Sequence, residues 1–151
     1  MAAEQQQELT ELLERIPIFA GLTMQECRRV LALCKRARYP SGKAIYAAGT
    51  PGKEMLVILK GKVAIQMPGG ETVAQLEAID TVGDMEICSA QPRVARVVAE
   101  GEVSGLTIGR PELESLIAHH HEIGVKILKN MIEALALKLS AANKLISEKR
   151  P

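Results

Sequence analysis

Between residues 39 and 108 short β-branched runs alternate with turn residues at close and even intervals, and this texture restricts the chain to a small antiparallel architecture. The turns are Pro40-Ser41-Gly42, Gly49-Thr50-Pro51-Gly52, Lys60-Gly61 and Pro68-Gly69-Gly70. Met55 to Leu59 is an unbroken apolar run of strand length, the pattern of a strand covered on both faces. Val63, Ile65 and Met67 alternate with polar residues, which predicts a strand with one buried face; Val73, Leu76 and Ile79 continue the sheet less regularly. The pattern breaks from Val82 to Pro92, then resumes at Val94 to Ala99 and Val103 to Ile108. The expected class is α+β: a β-jelly-roll barrel over residues 39–109, preceded by short N-terminal helices (1–38) and followed by C-terminal helices (110–151), all in one domain.

The flanks carry the helical period. Leu9, Leu12, Leu13 and Ile16 share a face until Pro17 ends the pattern. Thr23 followed by Glu26 resembles a capping box, and Cys27, Val30, Leu31 and Cys34 mark one face of a second helix, which is expected to end near Arg38. Arg110-Pro111 opens another helix, and a longer one is expected from about Glu122 to Glu148. Within it Val125, Leu128, Ile132, Leu135, Leu139, Ala142 and Ile146 follow alternating three-and-four spacing. β-branched residues at most a positions against Leu at most d positions favour a parallel homodimer. Two readings stay open: a seam between two copies, or a stripe packed on the parent barrel. Ile127, Met131, Ala134, Ala141 and Leu145 form a second stripe.

Several function classes fall away on composition. Aromatics are 2% of the chain, so no platform of rings exists on which successive bases stack, and a net charge of +1 gives little counterion-release affinity for DNA. The polar, acidic start lacks the pattern of a secretory signal, and no apolar run approaches the ~20 residues that span a bilayer, so a cytoplasmic location is expected. Cys27, Cys34 and Cys88 have no metal-ligand spacing and read as reduced thiols, the first two as core positions. His119, His120 and His121 point in different directions on a helix end and cannot converge on one ion, so no metal site is expected. Lys35-Arg36-Ala37-Arg38 reads as a solvated helix end. Residues with the arrangement of a catalytic triad or a triphosphate loop are not evident, and no enzyme activity or cofactor is expected.

The break in the barrel, residues 82–95, is a Gly turn, one short helix and an Arg just before a strand. Gly83 permits close approach of backbone to a ligand, helix-opening amides point at an anion, and Arg93 offers forked, charge-assisted hydrogen bonds to phosphate oxygens. By pattern alone a bare structural loop fits these residues as well.

The same residues in their wider context resemble the cyclic-nucleotide-binding domain family of catabolite-activator-type regulators and cyclic-nucleotide-dependent kinases. Phe19 to Thr23 is similar to that family's entry to its first barrel-side helix, Tyr39 to Tyr46, Gly49 to Gly52 and Ile58 to Val63 to its opening strands and turns, and Gly83 to Ala95 to its phosphate-binding cassette. The resemblance implies a ligand-sensing regulatory domain that binds a cyclic nucleotide and signals through its C-terminal helix. It places the cyclic phosphate between Arg93 and the backbone amides of Met85, Glu86 and Val94, beside Gly83. Asp84 stands where the family usually has a Glu holding the ribose 2′-hydroxyl, and is shorter by about 1.5 Å of reach. Glu86 stands where a small residue is usual, and an ion pair with Arg96 would neutralise it. Val94 stands where the family commonly has a small or hydroxyl residue; a hydroxyl there would help recognise guanine, so its absence favours cAMP over cGMP. The family's last helix commonly caps the base, making Ile127, Met131 and Ala134 the expected lid. The implied partners are the nucleotide, a second copy through the C-terminal helix and an unknown output protein, without direct DNA or membrane binding. Asp84 and Glu86 also fit a degenerate domain acting as a dimeric interaction module without nucleotide.

Overall fold

Thr23 caps a helix that begins at Met24: its side-chain oxygen accepts from the Glu26 amide at 3.2 Å, and the Glu26 carboxylate accepts from the Thr23 amide at 2.9 Å. This expected capping box opens α2 (Met24–Leu33), which follows α1 (Ala3–Glu14) and a 3-10 turn at Pro17–Phe19. The computed structural model describes residues 2–89 and 91–149, so Met1, Ala90 of the cassette segment, and Arg150 and Pro151 at the C-terminal end lie outside the described residues. The strands are β1 (Lys35–Tyr39), β2 (Ala44–Tyr46), β3 (Glu54–Gln66), β4 (Thr72–Glu77), β5 (Thr81–Val82) and β6 (Arg96–Gly109). A single turn, α3 (Glu86–Ser89), precedes β6, and α4 (Arg110–His119) and α5 (His121–Glu148) complete the chain.

All pairings among these strands are antiparallel, in a 6-stranded sheet ordered β1-β6-β3-β4, with β2 joined to β6 and β5 to β3. The architecture is jelly-roll-like and α+β, as expected, but the sheet does not close into a barrel. Its two ends, β1 and β4, are polar and largely exposed, which discourages edge-to-edge pairing with other chains.

Three expected local features are corrected. Lys35 to Arg38 is strand β1, not a helix end: α2 stops at Leu33, and Lys35, Arg36, Ala37 and Arg38 pair with Thr107, Leu106, Gly105 and Ser104. Register with β6 overrides the helical reading of that basic run. Lys60-Gly61 is not a turn. Gly61, at φ 98°, sits in a bulge that lets β3 bend and continue to Gln66. The two expected strands at the end of the sheet are likewise one, β6, bent at Gly101 with φ 78°.

The apolar run of β3 is explained by burial on two sides. Met55 and Val57 face the helices together with Leu13, Ile16, Phe19, Leu113 and Ile127. Leu56 and Ile58 face the sheet interior with Val63, Val97 and Val103. Cys27 is fully buried in the helical core and Cys34 half-buried beside it; burial pushes the Cys27 thiol up to about 11 and the Cys34 thiol up to about 12.

The first half of α5 is tied to the body. Lys126 donates to Glu26 at 2.6 Å, and the Asn130 amide donates to the carbonyls of Ile18 and Ala20 at 3.0 and 2.8 Å. The Lys126 hydrogen bond, with that from Thr23, holds the Glu26 carboxyl below its ordinary value. Beyond Leu135 every described residue of α5 is exposed. Val125, Ile132, Leu135, Leu139 and Ile146 are 50–67% exposed, and Leu128 is 36% exposed. The heptad stripe therefore does not pack on its own sheet.

Candidate functional site

The site is assembled from four places in the sequence. Arg93 precedes β6, and its backbone is pinned there: its amide donates to Thr50 at 2.9 Å, and Gly49 donates to its carbonyl at 2.7 Å. The side chain turns inward and is 5% exposed. Its guanidinium carbon lies 3.6 Å from the centroid of the Tyr46 ring, and Nη2 donates to the Glu54 carbonyl at 2.6 Å. Tyr46 in turn donates its hydroxyl to the Glu54 carboxylate at 3.0 Å, and burial followed by the Glu54 charge pushes the Tyr46 phenol well up. Among the described residues Arg93 forms no ion pair with a carboxylate.

Gly83 completes the turn against this guanidinium. Its φ is 82°, and a Cβ there would lie 2.5 Å from Arg93 Nη1 and 3.1 Å from the Glu54 carbonyl oxygen. Gly83→Ala is therefore expected to cost about 1–2 kcal/mol through the left-handed backbone alone and to push the guanidinium aside as well. A denaturant melt and a ligand titration on the same protein check both effects.

Gly83, Asp84, Met85, Glu86, Arg93 and Val94 all line one cavity of about 250 Å³, backed by apolar residues of the sheet including Ile65, Leu76 and Val97. The fold thus brings together every residue expected on the phosphate and ribose side. α3 borders this cavity and packs closely on the segment before β3: Glu86 sets its Cβ against Gly52, where any side chain would overlap it. Ile87 is buried in the helical core. Arg110 donates from Nε to the Ile87 carbonyl at 2.8 Å and from Nη2 to the Glu86 carbonyl at 2.6 Å. The expected Glu86–Arg96 ion pair does not form: Arg96 sits on β6 opposite Gln66, pointing to solvent.

The lid residues separate. Ile127 is 0% exposed, inside the helical core with Ile123, and so is closed to any ligand. Met131 and Ala134 line a smaller space of about 190 Å³ with Asp84 and Asn130. Met131, Leu128, Ile132 and Leu135 also line an apolar groove of about 430 Å³ whose other wall is Asp84, Met85 and Cys88 of the cassette. The α5 residue that reaches the cassette cavity is Lys138. Sequence reasoning missed it because a lysine on an amphipathic helix reads as solvated. The signal was present in the spacing: Ile127, Met131, Ala134 and Lys138 continue one stripe at four-three-four intervals. Tyr46, Glu54 and Arg110 were also missed, since no local pattern links them to Gly83 or Arg93.

A cavity of about 470 Å³ between Arg36, Arg38, Lys60 and Ser104 shares no lining residue with these groups. Among the described residues no group of three or more His, Cys, Asp or Glu side chains could hold a metal ion. No described helix is long and apolar enough to cross a membrane.

A buried guanidinium beside a glycine turn, with free donors facing a small cavity, is chemically a seat for one anionic group on an otherwise apolar ligand. A family model described as cyclic nucleotide-binding domain matches residues 36–120. The chain is 29% identical over 136 residues to Glutaminase 1 of Bradyrhizobium diazoefficiens, which covers 90% of this chain and 22% of that protein. It is 29% identical over 134 residues to the CRP-like cAMP-activated global transcriptional regulator of Mycobacterium tuberculosis, covering 84% of this chain and 58% of that one. The chain thus spans from about a fifth to under two thirds of the length of these two relatives. A solved cyclic nucleotide-binding domain from Methylobacillus flagellatus KT superposes with a TM-score of 0.83 at 24% identity, covering 98% of this chain and 85% of that one, a likeness of fold.

Proposed function

The chain belongs to the cyclic nucleotide-binding domain family, and from that premise we propose that it is a regulatory domain, not an enzyme, that binds a cyclic nucleotide at Arg93 and signals through α5. One observation carries the reading: Arg93 is buried and, among the described residues, has no carboxylate partner. A desolvated cation is costly unless an anion pairs with it, and a cyclic phosphate supplies one charge of the right geometry for a forked guanidinium. The phosphate sits between Arg93 and the amides of Met85, Glu86 and Val94, with Gly83 leaving room for it. Asp84 faces the ribose, and the aliphatic sheet residues line the rest of the cavity. Val94 brings no hydroxyl to the base, which favours cAMP over cGMP. Met131, Ala134 and Lys138 are the α5 contacts, and a bound nucleotide that touches them in one arrangement of α5 shifts the population towards it. The exposed seam from Val125 to Ile146, with Ala142, joins two copies, and the signal leaves through that dimer to a protein partner in the cytoplasm.

The shortness of Asp84 yields a direct test. Asp84→Glu is expected to tighten cyclic AMP binding about 2- to 10-fold, the worth of one recovered hydrogen bond, and to leave the affinity for 2′-deoxy cyclic AMP unchanged. Isothermal titration with both ligands separates the two.

The second reading, a dimeric interaction module without nucleotide, is favoured by the Asp84 and Glu86 carboxylates at the same cavity. Titration of the wild-type protein with cyclic AMP and cyclic GMP decides between the readings. Micromolar or tighter binding lost on Arg93→Ala supports the receptor; the absence of heat with either ligand supports the module.

A further inference from the structure

α3 is a single turn of four residues, and the hydrogen bonds that join it to the turn before it are long: the Ile87 amide donates to the Gly83 carbonyl and the Ser89 amide to the Met85 carbonyl, each at 3.3 Å. A turn this short does not hold itself together, so its position is set by what grips it. The grip comes from the first residue of α4. The Arg110 side chain takes the Glu86 and Ile87 carbonyls at 2.6 and 2.8 Å, while its own amide donates to the Lys53 carbonyl at 2.8 Å. One residue thus ties α3, the segment leading into β3, and the start of α4.

We propose that Arg110 is a positioning residue that couples the cassette to the C-terminal helices: it carries a displacement of α3, produced when phosphate binds at the Gly83 turn, into α4 and α5. This rests on the ligand-sensing reading above and adds the part that transmits. α3 also meets the helices through Ile87, in the core shared with Leu113, Leu116, Ile123 and Ile127, and through Cys88, whose Sγ lies 3.9 Å from Met131 Sδ. Both are apolar or soft and tolerate sliding. The planar guanidinium does not, because two hydrogen bonds from one rigid fork fix orientation as well as distance. It also binds α3 by its carbonyl side, leaving the opening amides of Met85 and Glu86 free for the anion. α3 is therefore held at one end by Arg110 and addressed at the other by ligand, the arrangement a connecting rod requires.

The test uses the full chain carrying spin labels at Glu71, in the β3–β4 turn, and Ser140, on the free half of α5, with the distance between them measured with and without saturating cyclic AMP. The wild type is expected to shift its distance distribution. Arg110→Met is expected to bind within about tenfold of the wild-type affinity yet show no shift, and Arg110→Lys, which keeps the charge but not the fork, a partial one. A full wild-type shift in Arg110→Met overturns the proposal, as does a wild type that binds without shifting. A wild type that does not bind cyclic nucleotide defeats the receptor reading instead, and ligand-free hydrogen exchange then decides the inference. Faster exchange of α3 and of the first turn of α4 together in Arg110→Met supports the tie, and unchanged exchange in α3 overturns it.

Discussion

Replacing Arg93 with methionine is expected to weaken cyclic AMP binding by about 30- to 4,000-fold. That range corresponds to the ~2–5 kcal/mol lost when one partner of a desolvated, hydrogen-bonded charge pair is truncated. The side chain is 5% exposed, stacked on Tyr46 and fixed by the Glu54 carbonyl, so the cation is preorganised and little of its interaction is spent on ordering. Methionine fills much of the same volume but leaves that carbonyl without its donor, which costs about 1–3 kcal/mol of stability in addition. Thermal melts measured beside the titrations keep the two losses apart. Arg93→Lys retains the charge and forfeits the fork, so it should fall between wild type and Arg93→Met. If Arg93→Met bound cyclic AMP as the wild type does, the phosphate would have to sit elsewhere and the reading of the cassette would fail.

The double substitution Leu128→Glu with Leu135→Glu is expected to turn a dimer into a monomer, raising the dimer dissociation constant by more than about 100-fold. Each copy would place two unpaired carboxylates in an apolar seam, and burying an uncompensated charge costs several kcal/mol. The folded monomer should survive, because Leu128 and Leu135 are 36% and 50% exposed and contribute little to its core. Sedimentation equilibrium reads the association, with Lys129→Glu as a charge change on an exposed neighbouring position. Retention of the dimer in the double variant would remove the seam as the interface. Both leucines also border the groove beside Met85 and Cys88, so a parallel change in nucleotide affinity would place dimer contact and cassette in communication.

Much of the fold was legible along the chain because it is written in local chemistry. Thr23 and Glu26 declare a helix start through side chains that satisfy their own backbone. Pro40 to Gly42 and Pro68 to Gly70 separate strands because glycine and proline restrict backbone geometry wherever they stand. The run Met55 to Ile58 announced burial on two faces, and the helices supply the second face. Gly83 and Arg93 stood out through the resemblance of their segment to a phosphate-binding cassette, not through their local pattern. What failed locally failed for one reason: strand pairing is a property of two segments. Gly61 looks like a turn until β6 runs past it as a partner, and Lys35 to Arg38 looks helical until the same strand fixes it by hydrogen bonds.

The sequence by itself determined most of the helices, the class of fold and the helix with an apolar seam, because each depends on residues within a turn or two of one another, while Arg93 was singled out by the resemblance of its segment to a phosphate-binding cassette. Only the tertiary structure decided which side chains meet. It put Tyr46 and Glu54 around Arg93, buried Ile127, brought Lys138 to the cavity and set Arg110 behind α3. These contacts join positions far apart in the chain. Their energies come from desolvation and directional hydrogen bonds that exist once the sheet has brought the partners together, and no local pattern encodes them.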